Sequence, residues 1–136
     1  MIYVKELSIG DWVSVLNYHW DGRPYTGQID GIIKKHGTYY LQFGSALSAE
    51  IDRCEPIPIT PEILEKNGWE LLCDSYCMQI HIQMAGDGYE MQDITIHRMK
   101  VLEVRTSTST LLMPIKYVHE LQHALRLCGI EKTIEL

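Results

Sequence analysis

The chain has 136 residues, 46% of them hydrophobic and 22% charged, with a net charge of −6. That balance excludes a disordered chain and leaves room for one compact domain or two small ones sharing a core. Acid exceeds base in both halves, five Lys/Arg against seven Asp/Glu over 1–60 and seven against eleven over 61–136, which argues against a surface that tracks nucleic-acid phosphates.

No apolar run approaches the ~20 residues that a membrane span needs. The first ten residues include Lys5, Glu6 and Ser8 and lack the apolar block of a secretory signal, so the expected setting is cytoplasmic, without a membrane partner.

In chain order, the segment Glu6–Thr60 reads as a run of short strands. Ile9-Gly10-Asp11-Trp12-Val13-Ser14-Val15 joins a Gly-Asp turn to a nearly alternating strand. Tyr18–Pro24 is a loop by composition, rich in Asp, Gly and Pro. Gly27–Ile33 resumes a strand with a bend expected at Gly31, His36-Gly37 is a turn, and Thr38–Phe43 has high β-propensity. Ala49–Ile57 supplies a last strand. Four or five short strands at this spacing suggest a small barrel, and the strings "IGDWVSV" and "GQIDGI" resemble the opening of SH3-like barrels.

Pro56-Ile57-Pro58-Ile59-Thr60-Pro61 marks a boundary, because alternate prolines remove backbone donors and favour extended chain. The expected division is therefore an SH3-like β-barrel subdomain at 1–59 and an α+β subdomain at 60–136. Thr60 suits an N-cap with Pro61 at the first helical position, and Gly68 ends that short helix. Gln79–Met84 alternates, with Ile80, Ile82 and Met84 inward, and Ala85–Gly88 is a hairpin turn. The returning strand places Met91 against the parity of Ile94 and Ile96, which predicts a bulge near Gln92. Lys100–Thr106 is a further strand with Leu102 and Val104 inward, and Thr106–Thr110 is a hydroxyl-rich connection. Pro114–Cys128 is predicted as an amphipathic helix, with Gly129 as its left-handed cap, and Ile130–Leu136 as a short final strand. The fold class is α+β and mostly β: the barrel, an antiparallel meander and one C-terminal helix.

The four cysteines, Cys54, Cys73, Cys77 and Cys128, do not carry the two-residue knuckle of a structural zinc site and read as small buried thiols. The sharpest string is His119-Glu120-Leu121-Gln122-His123. Two histidines four apart on a helix can share one zinc ion while the intervening glutamate acts as base on the metal's water. Against this, a catalytic zinc needs a third ligand, and Gly129 stands where one zinc-peptidase class has a histidine; the tail after His123 is too short for the helix that carries another class's acidic ligand and offers only Glu131 and Glu135, while His81 and His97 could substitute only in an arrangement unlike those classes. Both motif histidines are also expected in the middle of the helix's solvated arc, beside Lys116 and Arg126. Asp87, Glu90 and Asp93 lack a calcium-loop pattern and read as turn chemistry. The aromatics Trp12, Tyr18, Trp20, Tyr25, Tyr39 and Tyr40 crowd the N-terminal half. Trp12 and Tyr40 are expected in the core, while Tyr18, Trp20 and Tyr25 form the candidate binding surface.

The strings "KELSIGDWV", "CEPIPITPEILEKNGW" and "IKYVHELQHALRLCGIEKTIEL" together resemble a group of short, uncharacterised proteins of gut anaerobes, their prophages and their phages. The likeness spans most of the chain except roughly 73–98. Members often carry "YVHQLQ", so the likeness does not depend on Glu120. It implies a small accessory protein of mobile elements and supplies no substrate, cofactor or catalytic residue. The expected function is a non-enzymatic protein-binding module without a cofactor, its partner another protein or a second copy. The alternatives are a zinc-dependent hydrolase using His119, Glu120 and His123, and a nucleic-acid-binding barrel, for which Lys34-Lys35-His36 is the one local basic run.

Overall fold

The computed structural model describes residues 1–44, 47–83, 89–106 and 109–136, and for 81–83, 89 and 90 the backbone alone. Among them the fold is mostly β, with antiparallel sheets, a meander and two α-helices. The chain forms two compact units, residues 1–58 with 117–119, and residues 59–116 with 120–136.

The first unit contains β1 (Trp12–Val15), β2 (Tyr25–Gln28), β3 (Gly31–Lys35), β4 (Thr38–Phe43), β5 (Leu47–Glu50) and β6 (Cys54–Pro56). They make two three-stranded sheets, ordered β2-β1-β6 and β3-β4-β5. Two expected strands are each broken in two. The segment 27–33 divides at Ile29-Asp30, where Ile29 is buried and its N–H donates to Asp11, and its halves enter different sheets. A 3₁₀ turn at Ile51–Arg53 likewise separates β5 from β6. His36 and Gly37 make the expected turn, both in the left-handed region at φ 49° and 85°. The core consists of Ile2, Leu7, Val13, Val15, Ile29, Leu41, Phe43, Ala49 and Cys54. Trp12 and Tyr40 are half-buried instead of central, and the Tyr40 hydroxyl reaches the Glu50 carboxylate at 3.2 Å.

The second unit holds α1 (Pro61–Lys66), β7 (Glu70–Leu72), β8 (Ser75–Gln83), β9 (Tyr89–His97), β10 (Val101–Arg105), β11 (Thr110–Pro114) and α2 (Val118–Leu127), whose first two residues cluster with the first unit. The five strands form one meander, β11-β10-β9-β8-β7. α1 starts as its sequence requires, with Thr60 Oγ1 accepting the Ile63 N–H and Pro61 in the first turn, and Gly68 at φ 94° ends it.

Side-chain parity gives the sheet two unlike faces. Tyr76, Ile94, Ile96, Leu102 and Val104 are buried on one, as expected for the β10 pair. No bulge interrupts β9: its register with β8 runs unbroken from Ser75↔His97 to Gln83↔Tyr89. Met91 is instead exposed on the outer face, and Gln92 is buried opposite Ile80. The expected turn at Ala85–Gly88, the inward placing of Met84 and Ile82, and part of the connection at 106–110 lie outside the described residues or side chains.

The C-terminal helix is shorter than its pattern. Thr110–Pro114 forms β11, with Pro114 opposite Val101, and Ile115 N–H still donates to Lys100. Glu120 Oε2 then accepts the Lys116 N–H at 2.6 Å, so α2 begins at Val118. Gly129, at φ 72°, caps the other end, with Ile130 buried beyond it. The final residues are not a strand. Asn67 ties them down instead: its Nδ2 donates to Glu135 O and its Oδ1 accepts Glu135 N–H, both at 2.7 Å.

Candidate functional site

Alternation along β8, β9 and β10 carries Cys77, Gln79, Asp93, Thr95, His97, Glu103 and Arg105 to the outer face of the second unit's sheet. With Gly68, Glu70, Leu72 and Met78 they line an open cleft of about 760 Å³, a size suited to a small ligand. The register explains the grouping. Cys77 faces Thr95, which faces Glu103, while Gln79 faces Asp93, which faces Arg105, and Ser75 faces His97.

Within this face three groups stand in series. His97 Nε2 is 2.6 Å from Glu103 Oε2, and His97 Nδ1 is 3.3 Å from Ser75 Oγ. A carboxylate only accepts, so Nε2 carries the proton in the neutral ring and the Nδ1 lone pair faces the hydroxyl. Arg105 donates to the other Glu103 oxygen at 2.8 Å. The hydrogen bond from His97, and then that from Arg105, hold the Glu103 carboxyl below the usual carboxylate range. Ser75 Oγ lies equally near Asp74 Oδ1, at 3.3 Å, and Asp74 is paired with Arg98 at 2.9 Å. The Arg98 hydrogen bond, followed by that of Ser75, lowers the Asp74 carboxyl as well. Cys73, Arg98 and Met99, in the two turns beside this row, all have positive φ.

The sequence-nominated binding residues lie in the first unit. Trp20 is 97% exposed, Tyr18 is exposed and Tyr25 is half-buried on β2. Phe43, Tyr25 and Tyr18 follow one another from core to surface, the first pair edge to face and the second tilted, with ring centroids 5.9 and 5.1 Å apart. Tyr25 lies over Gly27, where a Cβ would come within 2.7 Å of its ring. The loop is braced: Arg23 pairs with Asp21, His19 N–H donates to Arg23 O, and Arg53 donates to the carbonyls of Leu16 and Asn17.

The HELQH string is on α2, but its members do not share one environment. His119 is only 3% exposed and stacks parallel to Tyr117 at 5.9 Å, which overturns its expected place on a solvated arc. His123 is half-buried, and the Glu120 carboxylate serves the start of the helix. No group of three His, Cys, Asp or Glu is placed to hold a metal among the described residues, and His97 is engaged with Ser75 and Glu103. The string therefore lacks a third ligand there. The side chain of His81 lies outside the described set. Cys54 is buried and the other three cysteines are not, Cys73 being exposed and Cys77 and Cys128 half-buried, so the buried-thiol expectation holds for one of four.

The row Ser75–His97–Glu103 was invisible to motif reading, since its members are 22 and 6 residues apart. The polar parity of the three strands was the available signal. Among the described residues, no helix is long and apolar enough to cross a membrane. No family model, curated protein or solved structure matches this chain.

Proposed function

We propose that the first unit is a non-enzymatic protein-binding module which offers Tyr18, Trp20 and Tyr25 to a partner protein, within a small accessory protein of phage or mobile-element type. The observation that carries this reading is Trp20. A large apolar ring held 97% exposed is costly to leave in water and is the residue type most often buried at the centre of protein interfaces. The loop bearing it is tied at its base and its tip, so little ordering is lost when a partner covers it. Two small antiparallel sheets around one core, with aromatics on a connecting loop, are consistent with the SH3-like class and its peptide grooves. The acidic balance favours a protein over nucleic acid as the partner.

The test is photo-crosslinking from benzoylphenylalanine placed at position 20, with the same probe at the exposed Lys35 as control. One dominant adduct from position 20, either a distinct protein or a second copy of the chain, is the expected result. Equal, diffuse labelling from both positions would sink the reading.

A further inference from the structure

The sheet of the second unit sets a hydroxyl, an imidazole and a carboxylate in line at the edge of a cleft, an arrangement that the aromatic loop does not involve. We infer that Ser75 is a nucleophile for acyl transfer, with His97 as its general base, Glu103 as the residue that positions His97, and a small, positively charged ester as substrate.

Glu103 Oε2 lies 2.6 Å from Nε2 and commits that nitrogen to donation, so the basic nitrogen of neutral His97 is Nδ1, 3.3 Å from Ser75 Oγ. That spacing is slightly open for a nucleophile–base pair without substrate, where such contacts are commonly loose. Arg105 holds Glu103 from its other oxygen, which fixes the carboxylate and keeps it charged. Ser75 lies in the same cross-strand row as Leu72 and His97, both of which line the cleft.

The substrate's charge follows from the lining. With Glu103 matched by Arg105, Glu70 and Asp93 remain as carboxylates facing the same cleft, and among the described lining residues there is no second Lys or Arg. Such a wall attracts a cation and repels an acid.

The reaction balances without any further reagent. Ser75 Oγ attacks the carbonyl carbon and its proton passes to His97 Nδ1. The bond to the alcohol portion breaks and that oxygen takes the proton from His97. Water then adds to the acyl-serine, gives its proton to Nδ1 and releases the acid, with Oγ regaining the proton. Asp74 is the competing acceptor for the Ser75 hydroxyl, and the experiment must separate the two.

The test is labelling of the full chain with a fluorophosphonate, read by intact mass and peptide mapping. Phosphonylation of Ser75 with loss of fluoride is expected, absent in Ser75→Ala and slowed ~100-fold or more in His97→Asn. Glu103→Gln is expected to slow labelling and to displace the pH profile of the labelling rate, which a purely structural role would leave in place. Acetylthiocholine should be turned over at least ~10-fold faster than its uncharged 3,3-dimethylbutyl isostere. No adduct on Ser75 in folded protein, or labelling that depends on Asp74 and not on His97, overturns the proposal. Equal turnover of the two thioesters overturns the charge preference. Neither result bears on crosslinking from position 20, so the two readings fail separately.

Discussion

At the scale of single residues, Gly27 and Cys54 give the clearest consequences. A Cβ at Gly27 would stand 2.7 Å from the Tyr25 ring and 3.1 Å from Phe43. Gly27→Ala should therefore cost about 1–3 kcal/mol in urea unfolding, as overpacking does. It should also displace Tyr25 from Tyr18 and weaken crosslinking from position 20. A variant as stable as the parent would mean that the ring moves freely aside. Burial pushes the Cys54 thiol up to about 11, and its Sγ lies 3.4 Å from the Glu50 carbonyl. Only the thiolate is a nucleophile, so iodoacetamide at pH 8 should modify the exposed Cys73 well before Cys54, as peptide mapping by mass spectrometry would record.

At the scale of elements, Asn67 does with one side chain what a strand would do with its backbone. Its Nδ2 donates to Ile63 O in α1 at 2.7 Å, and its side chain exchanges two more bonds with Glu135. Asn67→Ala removes three bonds at a buried site and should cost about 2–4 kcal/mol. Hydrogen exchange at Glu135 should quicken more than exchange in β9; unchanged protection there would refute the clasp. α1 could be read from Thr60, Pro61 and Gly68, and the helix end from Gly129, because caps are local chemistry. The strands around Leu102 and Val104 could be read from alternation. β11 could not, because Pro114 after Leu111-Leu112-Met113 reads equally well as a helix start and as the last residue of an edge strand. His119 is buried with its ring stacked on Tyr117, and the serine–histidine–glutamate row depends on cross-strand register. Neither leaves a mark in local spacing.

At the scale of the whole molecule, acid sensitivity follows from two carboxyls. Glu103 and Asp74 both titrate lower in the folded chain than in the unfolded one, so the unfolded state binds protons more readily as pH falls. Their contribution is complete above the ordinary carboxylate range, about 4, and is lost as pH drops through the lower folded values. Melting temperature should thus decline below about pH 4, and Glu103→Gln should decline less steeply. Identical slopes for parent and variant would remove Glu103 as a cause.

The two-faced sheet has a practical consequence for dissecting this protein. Tyr76, Ile94, Ile96, Leu102 and Val104 hold the fold from one side, while Cys77, Thr95, His97 and Glu103 project from the other on the same three strands. Neighbours one peptide apart therefore report on different properties. In a saturation-mutagenesis survey scored in parallel for abundance and for biological effect, the inward positions should fail both scores together. Outward positions that keep abundance and lose effect would mark the working surface directly, each with its adjacent core residue as an internal standard.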